Sequence, residues 1–183
     1  MRKSFNVKVA IAFAAACMII AVPAMASSVH LKGGANAKPS FFDHGLSLTG
    51  SGALSGLGNQ DLVVNLSAQA NVRSTCTNPA GATQPPGQNP APITVTGSQP
   101  IPANEVKNGS VSFNVSTAAP ASPISGAPDC PNPQWTEAIQ DLAFTSAVIT
   151  VEQPPGTVVF SLPCRFSPPT SDGLVPGSNV TCG

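Results

Sequence analysis

Four cysteines, Cys76, Cys130, Cys164 and Cys182, carry the clearest chemistry in this chain. Paired thiols either close disulfides or hold a soft metal, and spacing separates the two outcomes. No Cys-x-x-Cys spacing occurs, and neither His30 nor His44 lies near a cysteine in sequence. Two structural disulfides are therefore expected. Four thiols allow three pairings, and sequence cannot choose among them. Cys76–Cys130 with Cys164–Cys182 is favoured, because each bond then closes one flexible polar segment.

Other reactive groups are sparse. Asp43-His44 with a distant serine would supply a hydrolase triad, the imidazole taking a hydroxyl proton while the carboxylate orients the ring. Neighbouring residues in a strand point to opposite faces, however, and no Gly-x-Ser-x-Gly elbow exists. A small secreted hydrolase is therefore the last-ranked reading, and no catalytic residue is assigned. The carboxylates are dispersed, and no Asp-x-Asp-x-Asp run offers calcium several oxygens from one loop. Asp61 and Asp129, on loop edges, read as turn formers. No metal or cofactor is expected. With one Trp, no Tyr and Phe residues mostly at alternating apolar positions, core packing is the expected use of the Phe side chains. Trp135 is expected to be partly buried against the Cys130 disulfide.

The elements that hold these groups follow an export signal. Arg2, Lys3 and Lys8 precede the apolar run from Val9 to Ala21, Pro23 ends it, and Ala24-Met25-Ala26 is a small-x-small cleavage site. Residues 1–26 read as a signal peptide cut between Ala26 and Ser27. The run is shorter than the ~18–20 residues that span a bilayer, so no membrane insertion of the mature form is expected. Cys17 as a lipidated residue is the rival, but the run stays apolar through Met18, Ile19 and Ile20. The expected location is secreted and extracellular, with attachment to the cell surface left open.

The mature chain keeps Lys32, Lys38, Arg73, Lys107 and Arg165 against eight acids, a net charge of −3 with no cluster of either sign. A nucleic-acid partner needs a basic stripe to neutralise phosphates, and none exists. The prolines and glycines starve helices, while low charge and high hydrophobic content argue against disorder.

Alternation supplies the strands. Leu62, Val64, Leu66, Ala68, Ala70 and Val72 alternate with Val63, Asn65, Ser67, Gln69 and Asn71, the best strand signal here. A strand at Leu46–Leu54 precedes it, and the Gly56–Asp61 turn between them predicts a hairpin. Ile93–Thr96, Val111–Val115, Phe144–Val151 and Thr157–Leu162 follow, with an Asn108-Gly109 turn before the second of these. Trp135–Leu142 fits either period, since Trp135, Ala138, Ile139 and Leu142 would share a helix face; strand is preferred. About seven strands predict an all-β, immunoglobulin-like antiparallel sandwich over 43–183, a single domain with a Cys-containing tail. Residues 27–42 are expected to form a flexible leader.

Leu57-Gly58-Asn59-Gln60-Asp61, Cys76-Thr77-Asn78-Pro79-Ala80-Gly81, Pro86-Gly87-Gln88-Asn89-Pro90-Ala91-Pro92 and Cys130-Pro131-Asn132-Pro133-Gln134-Trp135-Thr136 resemble a group of small secreted bacterial proteins with no assigned activity. The resemblance covers most of the mature chain and is weakest from Cys164 to Cys182. It implies bacterial export and a strand at Trp135, and it carries no site residues. The functional expectation is a non-catalytic binding or structural protein outside the cytoplasm. A carbohydrate- or cell-wall-binding module is the alternative, so the expected partner is a cell-wall glycan or a surface protein.

Overall fold

A computed structural model of the chain describes residues 28–34, 36–87 and 90–183. The signal segment, Cys17 and the Ala26/Ser27 cleavage site lie outside the described residues. Eleven strands run in the order β1 (His30–Leu31), β2 (Ser40–Asp43), β3 (Leu48–Ser55), β4 (Leu62–Thr77), β5 (Thr83–Gln84), β6 (Ile93–Ile101), β7 (Ser110–Ser116), β8 (Thr136–Glu152), β9 (Val158–Phe166), β10 (Gly173–Leu174) and β11 (Val180–Cys182). Among the described residues, helical structure is limited to single 3-10 turns at Ala103–Glu105 and Gly177–Asn179.

The strands form two antiparallel sheets, as the alternation predicts. In the five-stranded sheet, β3 pairs with β7 on one side; β2 and β1 share its other edge, and β10 lies beyond β2. The six-stranded sheet runs β11-β9-β8-β4, and β6 and β5 share the far edge of β4. The long β4 and β8 pair from Val63–Glu152 to Thr77–Thr136, interrupted by two register shifts.

Each sheet turns one face inward. Leu62, Val64, Leu66, Ala68 and Ala70 of β4 are buried, and Leu48, Leu54, Phe113 and Val115 meet them from the other sheet. Burial of each Leu- or Val-sized side chain contributes ~1.5–3 kcal/mol, so this inner layer drives the fold. Phe41 of β2 and Phe166 of β9 pack edge to face across the core, 5.0 Å apart.

Three expectations are corrected. The Gly56–Asp61 turn does not close a hairpin: β3 and β4 belong to different sheets, so this segment crosses the sandwich. The buried Gln153 side chain fixes that crossing, accepting from the Gly58 amide at 2.7 Å and donating to the carbonyls of Gly58 and Gln60. The domain also starts before residue 43. Residues 30–31 and 40–43, expected in a leader, are strands of the five-stranded sheet, and Val29, Leu31 and Phe41 are core. Finally, Trp135–Leu142 is strand, as preferred, but it and the strand expected at Phe144–Val151 are one continuous element, β8, which begins at Thr136. Trp135 sits in the preceding turn, half-buried, its amide donating to the Asn132 carbonyl.

Candidate functional site

The four cysteines pair as favoured, Cys76–Cys130 and Cys164–Cys182. The first bond ties β4 to the long loop before β8. The second links β9 to β11 at directly opposed positions. Beside the first lies Glu137, fully buried and opposite Cys76 in the ladder. Its carboxylate accepts from Ser74 Oγ at 2.9 Å and from the Asp129 amide at 3.2 Å. Desolvation, and then the charge and hydrogen bonding of Glu137, push the Asp129 carboxyl above its usual range. The Glu137 carboxylate thereby anchors the loop that carries Cys130.

A second buried acid lies in β2. Asp43 is 1% exposed and accepts from the Gly45 amide at 2.8 Å and from the Thr170 hydroxyl. Thr170 Oγ1 in turn accepts the Phe144 amide at 2.9 Å, so the hydroxyl couples β2, β8 and the 167–172 segment. Burial raises the Asp43 carboxyl; its two hydrogen bonds oppose that shift, while Asp172 and Asp141 add to it.

Asp43 therefore faces away from His44, as the strand argument requires. His44 is exposed on the outer face of the five-stranded sheet. Its ring lies 4.6 Å from that of Phe42, and Nε2 is 3.0 Å from Thr49 Oγ1, which is 2.7 Å from Ser116 Oγ. The register places Leu174, Phe42, Thr49 and Ser116 in one rank across four strands. Phe42 and Leu174 are 42% and 69% exposed. That corrects the assignment of the Phe side chains to the core: Phe41 points in and Phe42 points out.

Along β3 the outward positions continue as Ser51, Ala53 and Ser55, opposite Asn114, Ser112 and Ser110. Six residues of strand cover ~20 Å. At the far end a groove of about 430 Å³ is lined by Lys32, Lys107, Glu105 and Ser110, among others. The Lys107–Ser110 turn shapes this end, with Asn108 at φ 51° and Gly109 at φ 69°, the left-handed pair that Asn-Gly favours.

The outer face of the six-stranded sheet is a second polar array. Asn65 lies between Ser98 and Thr150, and Thr150 is beside Ser161. Gln69 lies between Thr94 and Ser146, and Arg165 is the single charge in that rank. Two grooves of about 490 and 430 Å³ meet at Val148 on this face.

The remaining candidates play structural parts. Asp61 accepts from the Ala103 amide at 2.8 Å, which caps a turn. His30 contacts the Ser28 carbonyl at 2.6 Å and lies far along β3 from His44. Among the described residues no three His, Cys, Asp or Glu side chains gather where they would hold a metal ion. None of the described helices is long and apolar enough to cross a membrane. The surface arrays were hidden in the sequence, although period-two Ser and Thr at Thr49, Ser51 and Ser55 and at Ser110, Ser112 and Ser116 marks their outward faces. No protein-family model matches the chain, and comparison with curated proteins and with solved structures finds no match.

Proposed function

We propose that the chain is an exported, non-catalytic protein that acts by binding outside the cytoplasm. The observation that carries this reading is the composition of its two outer sheet faces, ranks of hydroxyl and amide groups with few charges. Such groups donate and accept at once, and in rigid strands they are held without a large ordering cost. The two disulfides suit an oxidising compartment, in keeping with the export signal and a secreted or surface-attached location. The Asp43–His44 hydrolase reading has no support from geometry, because the carboxylate serves Thr170.

A glycan of the cell wall is the partner that such faces favour, since a polyhydroxyl chain answers their donors and acceptors. A surface protein is the second reading, favoured by the exposed Phe42–Leu174 pair. Nucleic acid and membrane insertion are set aside on charge and on the short apolar run. Sedimentation of the mature protein with the wall fraction of its producer, and with cellulose, chitin and starch, tests the proposal. Saturable co-sedimentation that soluble sugar competes away supports the glycan partner; crosslinking to a discrete surface protein without glycan retention supports the second reading.

A further inference from the structure

The charges of the mature chain are unevenly placed. Arg73 pairs with Asp141 at 3.5 Å, and Lys38 Nζ donates to the carbonyls of Val180 and Gly177. Arg165 lies on the six-stranded sheet. The remaining described cations, Lys32 and Lys107, share one groove on the five-stranded sheet with a single acid, Glu105. Both residues are exposed, and neither makes a salt bridge among the described residues. In a protein of net charge −3, this groove is a local positive site.

The same face carries an apolar ledge at its other end. Phe42 presents an aromatic surface flanked by Leu174 and His44, and the linked Thr49 and Ser116 hydroxyls stand in the same rank. Between ledge and groove run outward Ser and Asn side chains. Asp172, exposed beside Gly45 near the ledge, repels a negative group there, which is drawn instead to the lysines.

We propose that this face binds an acidic glycan chain, its anionic unit in the Lys32–Lys107 groove and an uncharged sugar ring on Phe42. The inference rests on the reading of the protein as an extracellular binding module and names its face and ligand class. An aromatic face takes the C–H side of a pyranose, the hydroxyl ranks bond the ring oxygens, and the lysines neutralise a carboxylate or phosphate. A neutral glycan leaves the lysines without a role, and a plain polyanion leaves the ledge without one. Both ends together select a saccharide that carries charge.

The test is equilibrium binding of the mature protein to hyaluronan, whose uronate alternates with an uncharged amino sugar. Parallel titrations use a phosphate-bearing wall polymer, neutral dextran and polyglutamate. Saturable binding to hyaluronan or the phosphate polymer, weakened by salt, is expected, and the stronger of the two identifies the anion. Lys32→Glu with Lys107→Glu should weaken it at least ~10-fold, the loss expected from two exposed charge contacts. Phe42→Ser should weaken it while Gln134→Ala, in the exposed turn before β8 and on neither sheet face, leaves it unchanged. Unfolding midpoints equal to wild type show that the variants are folded. Equal binding to polyglutamate, or indifference to the lysine and Phe42 changes, overturns the inference. Retention on neutral glycans alone also overturns it but leaves the broader binding reading intact; retention on no polysaccharide or wall fraction overturns it, and overturns the broader reading as well when no surface protein crosslinks to the chain.

Discussion

Gly97 of β6 lies so close to Ser116 of β7 that a Cβ at position 97 would stand 1.8 Å from the Ser116 carbonyl oxygen. This contact joins the two sheets along one edge. Nearby, the Ala118 amide donates to the Thr96 carbonyl, and the Asn114 amide donates to Gln99 Oε1 at 2.8 Å. The edges of β6 and β7 are thus covered rather than open to another chain. Gly97→Ala should force the strands apart and destabilise the fold by about 1–3 kcal/mol or more. Urea denaturation measures this, and an unchanged midpoint would contradict the close approach.

Thr170 makes a second cross-link. Thr170→Val removes the donor to Asp43 and the acceptor for the Phe144 amide at nearly constant volume. Leaving such buried groups unpaired should cost about 1–3 kcal/mol. Thr170→Ser keeps the hydroxyl and should retain most of the stability, which separates lost hydrogen bonding from lost packing.

The two raised carboxyls set a pH dependence. Asp43 and Asp129 hold their protons more tightly folded than unfolded, so above the ordinary value of 3.8 the folded state binds more protons than the unfolded chain. Their contribution to stability is present at low pH and is lost as pH rises through the raised values. The unfolding midpoint should therefore rise as pH is lowered through that window. Asp43→Asn and Asp129→Asn should each flatten the slope; slopes that match wild type would contradict the assignment.

Much of this architecture was legible in the chain, and the exceptions have physical causes. The period-two run from Leu62 holds because β4 is central and buried on one face. The strand expected at Ile93–Thr96 runs on to Ile101, past Gly97 and Pro100, two residues that usually weaken a strand. Gly97 is needed for the approach to Ser116, and Pro100 is exposed on a strand bonded to β4. Trp135–Leu142 imitated a helix because a register shift leaves Gln140 unpaired in the ladder. Ile139 and Leu142, three apart, then face the same core. The candidate site was least legible. Nothing local distinguishes Phe42 from Phe41, and the ranks of the five-stranded face exist only once β3 pairs with β7, across intervening strands of the other sheet.

The disulfides should contribute unequally. Cys76–Cys130 closes a loop with a separation of 54 residues and Cys164–Cys182 one of 18. Chain entropy alone assigns them ~4 and ~3 kcal/mol. The double Cys→Ser replacement at 76 and 130 should therefore lower stability more than the one at 164 and 182. It also loosens the loop held by Glu137, which susceptibility to proteolysis near Asp129 would report.

Binding at the wall is the most direct test of the functional account. The mature, oxidised protein is mixed with the purified cell-wall fraction of its producer, and the sedimented fraction is followed against protein concentration. Saturable co-sedimentation that soluble wall fragments reverse is expected. Protein that stays in the supernatant at every concentration, with no crosslinked partner on intact cells, would contradict it.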